Sequence, residues 1–123
     1  MNIFDIMGPV MVGPSSSHTA GAVKIGYISR KLLGEKPVNA RICLYGSFLT
    51  TGKGHGTRKA IVAGLLGMLP DDTRIPDALD IADEQGLKVE FGEAELKEAH
   101  PNTAQLFLTG ESGRTLEVIG QSL

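Results

Sequence analysis

The order strand, glycine-laced loop, helix between residues 38 and 69 constrains the fold of this chain more than any other feature. Apolar and polar residues alternate from Val38 to Tyr45, which predicts a half-buried strand. The following segment, 46–57, contains four glycines, and apolar residues at helical spacing then predict a helix over 57–69. Loops between a strand and a helix commonly present backbone to ligands. This unit therefore predicts a fold of sheet and helices, and a candidate site within it.

Turn residues and hydrophobic periodicity predict the remaining elements. Two Gly-Pro steps predict a loop over residues 8–16. Helices are predicted over residues 17–33 and 77–85, with Gly34 and Gly86 at their C-terminal ends. Strands are predicted over residues 87–91, 104–109 and 115–119, the last two as a hairpin, and residues 93–99 carry a weak helical pattern. We expect an α+β two-layer sandwich of about four mostly antiparallel strands with helices on one face.

Length and composition favour one cytoplasmic domain, spanning residues 1–123. The chain has 123 residues, of which 41% are hydrophobic and 21% charged, which is typical of globular proteins. Its net charge of −2 comes from 12 basic and 14 acidic residues mixed along the sequence, so we expect no nucleic-acid partner. No apolar run is long enough for a membrane span, and the lone Cys43 cannot close a disulfide within the chain.

A first candidate site lies where the helix at 17–33 begins. Hydroxyl and imidazole side chains gather there: Ser15, Ser16, Ser17, His18 and Thr19. With the free N–H groups of the helix they would suit a carboxylate or phosphate, and no acidic residue lies between Asp5 and Glu35 to fill the site internally. The alternative is that the serines only cap the helix and that His18 is solvated.

A second candidate site is the glycine-laced loop, with Lys53, Gly54 and His55. Its spacing matches neither the P-loop nor the dinucleotide-binding fingerprint. An imidazole flanked by glycines lets a substrate approach closely and exchanges protons near neutral pH. We therefore assign His55 a catalytic role. The alternative is a hydrogen bond from His55 within its own turn.

The sequence predicts no metal site on this chain. His18, His55 and His100 lack the paired spacing of zinc ligands. Cys43 lies inside a predicted strand and is interpreted as a small buried apolar residue.

Three motifs together resemble the beta chain of bacterial iron-sulfur-dependent L-serine dehydratase: Gly-Pro-Ser-Ser-Ser-His-Thr at 13–19, Thr-Gly-Lys-Gly-His-Gly-Thr at 51–57, and His-Pro-Asn-Thr at 100–103. The resemblance covers nearly the whole chain. It implies a lyase that converts L-serine to pyruvate and ammonia, with the open iron of a [4Fe-4S] cluster acting as a Lewis acid. It also implies that the alpha chain holds the cluster, and that this chain is inactive without that partner.

The resemblance further implies roles for individual residues. His55 and His18 would be catalytic, although a histidine of the alpha chain could be the base instead of His55. The residues that would bind the substrate are Ser15, Ser16, Ser17, Thr19, Lys53 and Gly54. The expected partners are the alpha chain and L-serine, and the expected polypeptide continues beyond Leu123 into an ACT regulatory domain. Independently of the resemblance, exposed sheet edges and the missing partner surface make a homodimer a further expectation.

Two other functions stay open. The chain also resembles the allosteric substrate-binding domain of some phosphoglycerate dehydrogenases, which implies a regulatory module that binds serine or another small anion. A catalytic domain needs His55 to face the alpha partner's cluster, whereas a regulatory domain tolerates its loss. The third candidate is a non-enzymatic interaction domain.

Overall fold

The computed structural model describes residues 5–12, 18–46, 56–94 and 102–122. The strands are β1 (Asp5–Val12), β2 (Pro37–Gly46), β3 (Lys88–Glu93), β4 (Asn102–Gly110) and β5 (Thr115–Ser122). The helices are α1 (His18–Leu33), α2 (Gly56–Leu65) and α3 (Ala78–Glu84), and a short 3-10 turn (Ile75–Asp77) precedes α3. None of the helices in these ranges is long and apolar enough to cross a membrane.

The strands form one mixed sheet in the order β1-β5-β4-β2-β3. The three central strands pair antiparallel, β2 with β4 and β4 with β5. Each outer strand pairs parallel with its neighbour, β1 with β5 and β3 with β2. The predicted α+β class and the β4–β5 hairpin are confirmed, and the described sheet has five strands where about four were expected.

The additional strand is β1, in a region predicted as a loop. Residues 8–12 of the predicted loop 8–16 belong to β1, and residues 13–16 lie outside the described ranges. The prediction was wrong because proline is tolerated where a strand has a neighbour on one side only. β1 pairs with β5 alone, and its register shifts between Met7 and Val10, around Gly8 and Pro9.

The helices form a single layer on one face of the sheet, and the core lies between the two layers. Both strand-helix-strand crossovers, β1-α1-β2 and β2-α2-α3-β3, advance in the same direction across the sheet, and the usual right-handed crossover puts their helices on the same face. The strand residues facing the helices are almost all fully buried: Ala40, Ile42, Leu44, Ala104, Leu106, Leu108, Leu116 and Val118. At Gly120 the absent side chain admits Ile25, so α1 lies close against β5.

Glycines end α2 and α3 where the backbone turns left-handed. In α2, Gly67 has a φ of +92°, and the N–H of Met68 donates to the Ala63 carbonyl at 3.0 Å. This six-to-one hydrogen bond is a Schellman motif, and it ends α2 at Leu65 instead of the predicted residue 69. Gly86, with a φ of +79°, ends α3 in the same way, as the sequence predicted.

The third strand ends later than predicted, within the segment 93–99 that carried a weak helical pattern. Glu93 is the last residue of β3, and the N–H of Ala94 donates to the Leu44 carbonyl at 2.9 Å. The extended backbone is held there by the ladder with β2, which outweighs the weak helical pattern. Residues 95–99 of that predicted helix lie outside the described ranges.

Helices α1 and α2 touch backbone to backbone at two glycines. A Cβ on Gly26 would overlap the Ile61 carbonyl oxygen, and a Cβ on Gly64 would overlap the Val23 carbonyl oxygen. Further along, a guanidinium nitrogen of Arg30 donates to the Leu65 carbonyl at 2.9 Å. The two helices therefore run parallel, because their C-terminal ends meet as well as their centres.

A polar cluster ties the β4–β5 hairpin to the end of α1. Glu35 accepts hydrogen bonds from the Ser112 hydroxyl at 2.7 Å and the Ser112 backbone N–H at 2.8 Å. These bonds hold the pKa of Glu35 below its usual range, and the bond from the Ser112 hydroxyl has the larger effect. Arg114 donates to the Leu33 carbonyl at 2.9 Å. The hairpin thereby closes the end of the sheet at which α1 terminates.

The first prediction concerns the glycine contact. A Gly→Ala substitution inside a helix ordinarily stabilises a protein by about 1 kcal/mol. We expect Gly64→Ala instead to destabilise this protein by about 1–3 kcal/mol, because the new methyl group overlaps the backbone of α1. Gly56→Ala is the matched control, since nothing lies within 4 Å of its Cβ position. Chemical denaturation measures both variants, and a Gly64→Ala protein as stable as Gly56→Ala would contradict the close contact.

The second prediction is a pH dependence. A carboxyl group whose folded pKa is lowered stabilises the fold above its unfolded pKa, and this contribution disappears as the pH falls through the folded value. We expect Ser112→Ala to lower the melting temperature at pH 7, and the difference from the parent protein to shrink below about pH 4.5, the ordinary value of Glu35.

Asp72 provides the comparison within the same chain. Hydrogen bonds from Arg74 lower the pKa of Asp72 from 3.8 to about 2, so the effect of Asp72→Asn should persist to lower pH than that of Ser112→Ala. Melting curves from pH 7 to pH 2 test both variants. A Ser112→Ala difference that stays constant over this range would show that Glu35 does not carry the effect.

Candidate functional site

The carboxyl ends of four strands meet at one end of the sheet. β2 and β5 run in the same direction because each pairs antiparallel with β4, and β1 and β3 share that direction through their parallel pairings. The same end of the sheet holds the beginning of β4. We call it the carboxyl end of the sheet, and ligands of open α/β sheets commonly bind there.

A row of four paired residues marks this end. Val12 pairs with Ser122, and Gly46 pairs with Asn102. The Asn102 side-chain amide donates to the Ser122 carbonyl at 3.4 Å, which joins the two pairs. Val12, Gly46 and Asn102 are also the described residues next to three segments that carry the sequence motifs.

Helices α1 and α2 both begin at the carboxyl end of the sheet. Each follows a strand that ends there and runs back along the sheet, and the two are parallel. The first turns of α1 and α2 contain no acidic residue. Two positive helix-dipole ends therefore lie at the same end, an arrangement that attracts anions.

The structure places two of the predicted site residues. His18 is the first residue of α1, and Thr19 follows it with an exposed side chain. In the second loop, the motif continues into α2 through the exposed Gly56 and the buried Thr57. The other predicted site residues lie outside the described ranges: Ser15, Ser16, Ser17, Lys53, Gly54 and His55. The described parts of both loops thus reach the same end of the sheet.

Arg58 is a residue near this end that the sequence analysis missed. It occupies the first turn of α2, and its guanidinium lies over the Phe91 ring, with 5.1 Å to the ring centroid. Its Nε is buried without a hydrogen-bond partner. A cation in a first turn opposes the helix dipole, and this local conflict is the signal in the sequence that could have identified it.

Potential metal ligands are dispersed in the described part of the chain. Within it, no group of three or more histidine, cysteine, aspartate or glutamate side chains could hold a metal ion. Cys43 is a free cysteine, buried in the middle of β2. Its predicted burial is confirmed.

The chain matches a family of known proteins. The family model described as serine dehydratase beta chain matches residues 2–89. The probable L-serine dehydratase beta chain of Bacillus subtilis (strain 168) is 48% identical over 122 residues, which cover 99% of this chain and 55% of that protein. The L-serine dehydratase beta chain of Peptoniphilus asaccharolyticus is 42% identical over 121 residues, 98% of this chain and 54% of that protein.

Longer relatives contain a similar region. L-serine dehydratase 2 of Escherichia coli (strain K12) is 43% identical over 81 residues, which cover 61% of this chain but 17% of that protein. This chain spans about half the length of the two beta chains.

The third prediction concerns Arg58. We expect Arg58→Met to raise the free energy of unfolding by up to about 1 kcal/mol, because methionine keeps an apolar side chain over Phe91 and removes the unpaired buried nitrogen. Arg114→Met is the control, since it removes a guanidinium that donates to the Leu33 carbonyl, and it should destabilise. Urea denaturation measures both, and a loss of more than about 1 kcal/mol in Arg58→Met would indicate that the guanidinium is paired.

Proposed function

This chain belongs to the serine dehydratase beta chain family, and on that premise we propose that it is the beta part of an L-serine dehydratase, a lyase that forms pyruvate and ammonia from L-serine. Its working partner in this proposal is an alpha chain, and the complex acts in the cytoplasm. The family match and the beta-chain relatives support the reaction, and the carboxyl end of the sheet supports the location of the site.

The observation that carries the proposal is the convergence of two helix N-termini. α1 and α2 begin at the same end of the sheet, neither with an acidic residue in its first turn. L-serine carries a carboxylate, which suits backbone N–H groups and positive dipole ends. In this proposal Ser15, Ser16, Ser17 and Thr19 bind the carboxylate from the α1 side, and Lys53 and Gly54 line the pocket from the α2 side.

Proton transfer is assigned to the histidines. In this reaction L-serine loses its α proton and its β-hydroxyl group as water, and the aminoacrylate that forms is hydrolysed to pyruvate and ammonia. An imidazole is suited to the proton transfer at the α carbon because it exchanges protons near neutral pH. His55 precedes α2 directly and His18 is the first residue of α1, so the chain would bring each histidine to the carboxyl end of the sheet. The proposal gives His55 the acid/base role at the α carbon and His18 a supporting role beside the carboxylate.

The residues of this chain do not fit a [4Fe-4S] cluster. Such a cluster is held by several cysteine thiolates, whereas this chain contains one cysteine, and it is buried inside β2. In the proposal the alpha chain therefore holds the cluster. The role of the beta chain is to bind the carboxylate and transfer the proton.

The fourth prediction tests this division of roles. The alpha chain is reconstituted anaerobically, mixed with the beta chain, and assayed for serine-dependent pyruvate formation. We expect His55→Ala to lower kcat by about a hundredfold or more, and Ser16→Ala to act mainly by raising KM. Lys88→Ala is the control, because Lys88 is exposed at the start of β3, away from the carboxyl end of the sheet.

Assembly is measured on the same samples by size-exclusion chromatography, so that loss of activity is separated from loss of the complex. Full activity of His55→Ala, with only its response to serine concentration altered, would overturn the catalytic assignment. That result would instead favour the regulatory small-anion domain.

A further inference from the structure

Arg58 carries a positive charge that the described part of the chain does not neutralise. Its guanidinium lies over the Phe91 ring, 5.1 Å from the centroid, and its Nε is buried without a hydrogen-bond partner. The ion pair among the described residues is instead the one between Arg74 and Asp72. A guanidinium presents five N–H donors in a rigid fork, which suits carboxylates. Arg58 therefore retains the capacity to bind an anion.

The position of Arg58 is unfavourable for the isolated chain. It lies in the first turn of α2, where a positive charge opposes the helix dipole, and its unpaired buried nitrogen adds a further cost. The cation–π contact with Phe91 offsets part of this cost. Residues that conflict with their local environment are commonly found at functional sites. The conflict at Arg58 therefore indicates a binding partner outside this chain.

Arg58 lies at the rim of the carboxyl end of the sheet. α2 begins at this end, and Phe91 lies two residues before the last residue of β3. β3 is the outer strand of the sheet next to β2, so the guanidinium over Phe91 lies close to the sheet edge. In the proposed function, the alpha chain completes the active site at this end of the sheet. Arg58 thus lies on the side of the molecule that the alpha chain contacts.

The strand order separates Arg58 from the proposed position of the substrate carboxylate. α1 packs against β1, β5 and β4, whereas Phe91 belongs to β3, on the other side of β2. β4 and β3 are two strand spacings apart, about 10 Å. The guanidinium therefore lies on the side of α2 that faces away from α1. Since the carboxylate of L-serine is assigned to the α1 side, Arg58 is available for a different carboxylate.

We propose that Arg58 binds a carboxylate side chain of the alpha chain at the rim of the active site, and so determines how the two chains dock. The inference rests on the proposed function, because it requires an alpha chain at the carboxyl end of the sheet. Arg58 is half-buried, and Phe91 supports its guanidinium from one side. A carboxylate accepts paired hydrogen bonds from such a group. Arginines in desolvated positions are among the residues that contribute most to the affinity of protein interfaces.

The fifth prediction concerns the affinity of the two chains. Isothermal titration calorimetry without substrate measures how the anaerobically reconstituted alpha chain binds the parent chain and its variants. We expect Arg58→Met to raise Kd by about thirtyfold or more, because the carboxylate of the alpha chain is left unpaired at the interface. Arg58→Lys should have a smaller effect, since lysine retains the charge but not the planar fork.

Lys59→Met is the matched control. Lys59 is the next residue in the same turn of α2 and is also half-buried, so both substitutions remove one positive charge from the same helix end. We expect Lys59→Met to change Kd by less than about threefold. Because Arg58→Met should be at least as stable as the parent chain, its weaker binding would not result from unfolding. Circular dichroism of each variant checks that it is folded.

A charge exchange identifies the partner group. Arg58→Glu should bind the alpha chain more weakly than Arg58→Met, because two carboxylates then face each other. Glutamate agrees with the helix dipole at this position, so the variant should fold. The surface aspartates and glutamates of the alpha chain are then changed to arginine one at a time and tested against Arg58→Glu. One of these substitutions should restore binding, since it forms the same pair with the charges exchanged.

Three results would overturn the inference and leave the proposed function intact. The alpha chain could bind Arg58→Met as tightly as the parent chain. The charge scan could contain no substitution that restores binding to Arg58→Glu. The isolated chain could bind acetate or inorganic phosphate saturably, with binding lost in Arg58→Met and retained in Lys59→Met, which would assign Arg58 to a small anion. A parent chain that does not bind the alpha chain at all would contradict the proposed function itself, and the inference with it.

Discussion

The backbone contact between α1 and α2 is the constraint on which the rest of the molecule depends. At Gly26 and Gly64 the helices approach more closely than any side chain would allow. Each glycine lies eight residues after the start of its helix, at His18 and Gly56 respectively. Because the helices are parallel, the contact holds both N-termini at a similar height and at a separation set by the backbones, not by flexible side chains.

The sheet gives this helix pair its direction. The reversed strand β4 lies at the centre, and the four others share one direction, so every strand followed by a helix ends at the carboxyl end of the sheet. Buried side chains of β2 and β4 that face the helices hold the helical layer on one face of the sheet: Ala40, Ile42, Leu44, Leu106 and Leu108. The hairpin contacts of Glu35 and Arg114 close the opposite end. The hairpin contacts and the candidate functional site thus lie at opposite ends of the sheet.

Local sequence patterns predicted most of the helices and strands. Features that depend on contacts between residues distant in the sequence could not be predicted in this way. Alternation identified β2, and the left-handed glycines Gly34 and Gly86 marked helix ends correctly because the backbone requirement is local. β1 was missed because its strand conformation depends on pairing with β5. Asp5, for example, pairs with Leu116 on the neighbouring strand, and no local sequence pattern contains so distant a partner. The residue types of the two motif loops could be recognised in the sequence. That β1 and β2, which precede these loops, end at the same end of the sheet depends on the strand order and directions.

The distribution of charge shows the same limit of sequence-based prediction. A net charge of −2 conceals helices of opposite sign, because α1 and α2 contain no acidic residue, whereas the segment 71–84 that includes α3 contains six.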